Sequence, residues 1–214
     1  MAPKSRHAFV SPAIITGWLF ALLQLAYRGV RHQLGANPIA TTLNQLGLLA
    51  LVLLVATLCC TPLKSMLGWT WPARVRRTLG LLGFFTALLH FSLYLGLDQG
   101  FDLLHVASDI GKRRFIAVGF LALLLLVPLA WTSSKRAVMR LTFPVWKRLH
   151  RLIYPAAVLA CLHFFLRVKA DHTQPLVYAG IVLLGFGVRL VAWRAKIRGK
   201  SGASRGLAGQ RSGP

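Results

Sequence analysis

Phe115 to Thr132 reads FIAVGFLALLLLVPLAWT, eighteen residues without a single charge. A bilayer core of about 30 Å is crossed by roughly 20 apolar residues of α-helix. The stretch therefore reads as a membrane span. Working outward, five more stretches of similar character lie at about 9–27, 45–62, 79–97, 150–166 and 175–193. The expected fold class is all-α, a polytopic membrane helical bundle of about six spans over 9–193. Arg189 interrupts the last span and is expected to snorkel towards the interface. Pro128 and Pro155 fall inside spans and Pro12 near the start of the first. Neighbouring helices can satisfy the carbonyls that such prolines free.

Composition agrees. Of 214 residues, 56% are hydrophobic and 14% charged, with a mean hydropathy of +0.60. Soluble domains carry about a quarter charged residues, so polar surface is too scarce here for a water-exposed globule. Lys and Arg number 26, against four Asp and no Glu. A sequence pI near 11.7 can signal nucleic-acid binding. Here the basic residues sit between apolar stretches, as in loops held at an anionic membrane face, so no nucleic-acid partner is expected. Cys59, Cys60 and Cys161 lie at the end of or inside apolar stretches without metal-type spacing, and read as small apolar residues. Lys4 and Arg6 ahead of an apolar run raise the question of a signal peptide. The run is long and lacks a clean cleavage site, which favours a retained first span.

Charge sets the expected orientation. Residues 1–8, the 63–78 and 133–149 loops and the segment from 194 carry 17 Lys or Arg, and the three opposite loops carry seven. All four Asp (Asp98, Asp102, Asp109, Asp171) fall on the poorer side. The positive-inside rule then places both termini in the cytoplasm. Residues 194–214, rich in Gly, Ser and Arg, read as a basic, disordered cytoplasmic tail with some affinity for anionic lipid.

Of seven histidines, His7, His32, His105 and His172 fall in loops or tails and read as solvated. His90, His150 and His163 belong to spans three and five. An ionisable residue in a span is costly, hence a functional candidate, and a lone one is about as often a hydrogen-bonding partner for a neighbouring helix. Depth favours function. His90 lies 13 residues beyond Arg77 and His163 lies 15 beyond Arg148, about 20 and 22 Å along their helices. Both imidazoles reach the periplasmic half at nearly one level, where they can supply the two axial ligands of a b-type haem. Phe84, Phe85, Phe91, Phe164 and Phe165 suit a porphyrin but are equally common as packing.

His150 precedes His163 by 13 residues and so sits at the cytoplasmic edge. On an ideal helix the two side chains point about 140° apart. A second ligand on span three at that depth would have to be Arg76 or Arg77. A guanidinium does not ligate iron there, but it can hold a haem propionate or a flavin phosphate. Arg76, Arg77, Arg148 and Arg151 thus form a candidate anionic-cofactor rim, against the plain alternative of a positive-inside loop edge.

Several segments carry a resemblance: Arg76-Arg77-Thr78-Leu79-Gly80 leading to His90; Trp131-Thr132-Ser133; Trp146-Lys147-Arg148-Leu149-His150-Arg151-Leu152-Ile153-Tyr154; then His163 and Gln174-Pro175-Leu176-Val177-Tyr178. Gly35-Ala36-Asn37-Pro38 and Thr61-Pro62-Leu63-Lys64 belong with them. Over about 12–193 the chain resembles the MsrQ (YedZ) family, haem-binding membrane subunits of the bacterial periplasmic protein-methionine-sulfoxide reductase system. The resemblance implies a ferric reductase-like transmembrane domain in the bacterial inner membrane, with haem b and FMN as cofactors. It further implies a periplasmic molybdopterin-dependent methionine-sulfoxide reductase as partner, and electrons from the quinone pool or a cytoplasmic flavin reductase. Haem ligands carry over to His90, His163 and His150; flavin residues do not. On this reading the chain transfers electrons and holds no catalytic residues of its own.

Two other functions compete. A stand-alone quinol-linked ferric reductase-like cytochrome would reduce metal chelates unaided. A haem-free transporter or assembly factor that relays protons through its histidines would be colourless.

Overall fold

The computed structural model describes residues 9–211, with side chains from 9 to 195, and is helical throughout apart from short connections. Among the described residues nine α-helices follow in order: α1 (Val10–Val30), α2 (Pro38–Leu67), α3 (Trp71–Leu93), α4 (Leu103–Lys112), α5 (Arg114–Trp131), α6 (Lys135–Leu141), α7 (Phe143–Leu149), α8 (Ile153–Arg167) and α9 (Thr173–Arg211). Six segments among the described residues are long and apolar enough to cross a membrane: Val10–Val30, Pro38–Leu67, Trp71–Asp98, Arg114–Trp131, Phe143–Arg167 and Thr173–Ala195. The six-span expectation holds, and the chain is a multi-pass membrane protein. The expected amino end, residues 1–8 with His7, lies outside the described residues.

The helices run past the apolar windows because their ends are chemically marked. Asn37 accepts the Ala40 amide at 3.0 Å, with Pro38 in the first helical position, so α2 begins seven residues before its apolar window. It stops at Gly68, whose φ of +67° supplies the left-handed cap. Span three ends in a π-helical turn, Tyr94–Asp98. The amphipathic α4 follows, its Asp102 cap accepting the His105 amide. Pro155 sits in the first turn of α8 rather than inside a helix. It lacks the amide that would bond Arg151, and the chain enters α8 through a 3-10 turn at His150–Leu152. α9 continues to Arg211, through much of the segment expected to be irregular.

α2 lies along α3, α5 along α8, and α9 closes the bundle against α2 and α8. Small residues permit this. A Cβ on Gly83 would meet the Leu53 side chain at 3.4 Å and the Leu54 amide at 3.5 Å, so α3 approaches the α2 backbone directly. Ala156 and Ala157 of α8 are fully buried in the apolar core with Leu54, Leu58 and Leu126. α1 has no buried residue and is tied to α3 through Trp18 Nε1, which donates to Thr86 Oγ1 at 2.8 Å.

Arg189 does not snorkel freely. Its Nη2 donates to the Leu58 carbonyl at 2.6 Å. Pro62 occupies the position whose amide would otherwise take that carbonyl, so the guanidinium fills a gap the proline opens. Its Cζ also lies 5.1 Å over the Tyr154 ring. Cys59, Cys60 and Cys161 are free and buried or half-buried, as expected of small apolar residues.

Candidate functional site

His90 on α3 and His163 on α8 meet across the bundle, their ring centres 6.3 Å apart and their planes at 81°. His90 Nδ1 lies 2.9 Å from the Leu43 carbonyl, and His163 Nδ1 lies 2.6 Å from that of Phe115. A carbonyl only accepts, so each Nδ1 carries the proton and each Nε2 keeps its lone pair. Such an outer hydrogen bond fixes tautomer and ring orientation in metal-binding histidines. Two imidazoles sharing a metal at about 2 Å from each nitrogen hold their ring centres roughly 6 Å apart. The observed separation fits.

One local arrangement occurs twice. Leu43 is followed four residues later by Gly47, and Phe115 by Gly119. In a helix the side chain at i+4 stands close to the carbonyl of i, and glycine leaves that carbonyl open to a ring from the facing helix. A Cβ on Gly119 would lie 2.5 Å from His163 Nδ1, and one on Gly47 would lie 3.3 Å from His90 Cε1. Sequence reading missed both glycines; the shared carbonyl-then-glycine spacing is the signal that could have found them.

The imidazoles line a cavity of about 300 Å³ between α2, α3, α5 and α8, within the range of about 300–1,000 Å³ for ligand pockets. Its walls are apolar and include Ala50, Leu51, Ala87, Leu123 and Ala160. Of the expected aromatics, Phe91 and Phe164 face the cavity together with Phe115 and Phe120. Phe84 packs against the core instead, while Phe85 and Phe165 are exposed on the bundle's outer surface. Helical spacing separates neighbours in sequence onto different faces.

His150 is absent from this cavity, as are Arg76, Arg77, Arg148 and Arg151. Thr132 Oγ1 donates its one proton to the Pro128 carbonyl at 2.6 Å and lies 3.1 Å from His150 Nε2. His150 Nε2 must therefore be the donor of that second bond, which leaves Nδ1 as its lone-pair nitrogen. The Trp146 ring stacks on His150 at 4.0 Å, and its Nε1 donates to the Thr132 carbonyl at 2.9 Å. Arg76 is close enough for its charge to act on His150. These residues gather at the opposite end of the bundle from α4.

The model of the ferric reductase like transmembrane component family matches residues 46–161, which take in His90, His150 and the first half of α8. A Rhodospirillum rubrum protein named protein-methionine-sulfoxide reductase heme-binding subunit MsrQ is 48% identical over 188 residues, 88% of this chain and 90% of that protein. Its namesake in Deinococcus radiodurans is 44% identical over 191 residues, covering 89% and 94%. The Ralstonia nicotianae one is 40% identical over 205 residues, covering 93% of each. With likeness of this order along nearly the whole of each relative, the chain belongs to the MsrQ heme-binding subunits, within the wider family of ferric reductase like transmembrane components.

Proposed function

We propose that the chain binds a b-type haem between His90 and His163 and carries electrons across the inner membrane to a periplasmic methionine-sulfoxide reductase of the molybdopterin type. The observation that carries this reading is the pair of opposed imidazoles, each with Nδ1 held by a backbone carbonyl and Nε2 left for a metal. Bound haem supplies a one-electron carrier whose potential follows axial ligands, burial and hydrogen bonding. The protein's part is to orient both rings, keep the cavity apolar and exclude water. The basic residues favour a periplasmic position for the His90–His163 end.

On the same reading, the rim of His150, Arg76, Arg77, Arg148 and Arg151 takes electrons in from the quinone pool or a cytoplasmic flavin reductase. Guanidinium groups there suit a second haem's propionate or the phosphate of FMN. The likeness to ferric reductases favours one competitor, a cytochrome that reduces chelated metal without a partner.

The test is the haem-to-protein and flavin-to-protein ratio of the pure, detergent-solubilised chain and its His90→Ala and His163→Ala variants. Either substitution should remove or severely deplete a low-spin haem. A full, unshifted low-spin spectrum in both variants would overturn the ligand assignment, and a colourless wild-type protein would overturn the function. Rapid reduction of ferric chelates by the isolated chain would favour the competitor.

A further inference from the structure

At the end of the bundle that carries α4, the cavity stops being apolar. Asn37, Asn44, Asp98, Arg113 and Arg167 form its mouth. Arg167 closes α8 one turn beyond His163, so its side chain shares the imidazole's face. It also borders a second, more polar hollow of about 350 Å³, which shares Asn44, Leu48, Phe164 and Arg167 with the first. The half-buried guanidinium is thus part of the wall between an apolar chamber and a polar one.

None of the four Asp pairs with Arg167, although Asp98 lines the first cavity and Asp171 the second hollow. Asp98 accepts from Gln99 Nε2 at 2.6 Å, and Asp102 caps α4. Asp109 is buried, pairs with Arg113 Nε at 3.2 Å and accepts from the Tyr94 hydroxyl. Asp171 accepts the Thr173 amide at 2.9 Å. Arg167 is left without an acidic partner among the described residues. A half-buried cation facing an apolar chamber is costly unless an anion meets it. Arg113, the other cation at the mouth, is already matched by Asp109.

Building on the haem reading above, we propose that Arg167 holds a propionate carboxylate of the haem carried by His90 and His163. A guanidinium meets a carboxylate with two parallel hydrogen bonds and stays charged throughout. The contact fixes the haem's rotation in the cavity and turns its carboxylate edge towards the polar hollow. It also cancels negative charge beside the iron, which favours the reduced form.

The test compares purified wild-type protein, Arg167→Gln, Arg167→Lys and Arg114→Gln, each loaded with haem b or its dimethyl ester. Arg114 lies at the same end, exposed and outside the cavity. Arg167→Gln should keep the low-spin bis-imidazole spectrum. Its reduced-to-oxidised ratio at a fixed potential should fall about tenfold, a midpoint drop of about 59 mV for one electron. Lysine should restore most of the drop and Arg114→Gln should cause none, while esterification should weaken haem retention in the wild type more than in Arg167→Gln. If Arg167→Gln instead loses haem, recovery of haem by the lysine variant supports the proposal and failure to recover it overturns it. The proposal also falls if Arg167→Gln keeps the wild-type midpoint, if Arg114→Gln shifts it equally, or if esterification weakens haem retention equally in the wild type and Arg167→Gln. Wild-type protein that takes up no haem defeats the functional reading itself, a separate outcome.

Discussion

Leu43 and Phe115 each present a backbone carbonyl four residues ahead of a glycine, and each carbonyl meets one of the paired imidazoles. The two glycines differ in tolerance. Gly119→Ala puts a methyl within 2.5 Å of His163 Nδ1, so the ring or the helix must move. Overpacking of this kind costs about 1–3 kcal/mol, and haem retention in detergent should fall roughly tenfold or more. Gly47→Ala, whose nearest contact is 3.3 Å, should lose much less. Haem-to-protein ratios of the two variants check the order, and equal losses would count against the carbonyl–glycine account. His150 makes a different prediction, since it is tied to Thr132 and Trp146 away from the cavity. His150→Ala should slow reduction from the expected cytoplasmic side while dithionite still fully reduces the haem proposed between His90 and His163. Wild-type rates by both routes, with unchanged cofactor content, would make the residue no more than basic rim.

α2 carries a proline five-sixths of the way along, and the consequence appears on another helix. Pro62 opens the Leu58 carbonyl and Arg189 of α9 fills it, 131 residues away in sequence. Arg189→Met should strand the carbonyl and destabilise the bundle by about 1–3 kcal/mol. Adding Pro62→Ala returns an amide to that carbonyl and should recover much of the loss. Thermal unfolding of the two single variants and the double variant in detergent checks this, and additive losses would defeat it. The elements themselves were legible in the sequence, since an 18-residue uncharged run has few other fates in water or lipid. Helical rise alone brought His90 and His163 to one level, because depth depends only on residue count. Which face of a helix meets which partner does not follow from counting. Sequence spacing therefore sets Phe85 and Phe165 beside the two histidines without showing that they face outward, and it gives no sign of what Gly47, Gly119 and Arg167 face. Arg189 reads as a snorkelling residue from its own span alone, because a carbonyl freed on another helix leaves no trace there.

For the molecule as a whole, the two ends of the bundle differ in chemistry. All four Asp lie towards the α4 end, while the loops holding α6 and α7 are purely basic. The positive-inside rule then expects a cytoplasmic carboxyl terminus, with 17 basic residues on that side against seven on the other. An alkaline phosphatase fused after Pro214, active only in the periplasm, should be silent in cells. Strong activity would mean an odd number of crossings. The Leu58–Arg189 bond also bears on how the protein is made. Arginine at the centre of a span raises the insertion free energy by roughly 2.5–3.5 kcal/mol, and Arg189, six residues before the end of the Thr173–Ala195 span, carries a smaller part of that cost. Its acceptor belongs to the second helix, which leaves the ribosome long before it. The bond thus rewards one order of assembly: the carbonyl that Pro62 leaves open on α2 is already in place when α9 arrives, and docking there offsets what its arginine costs.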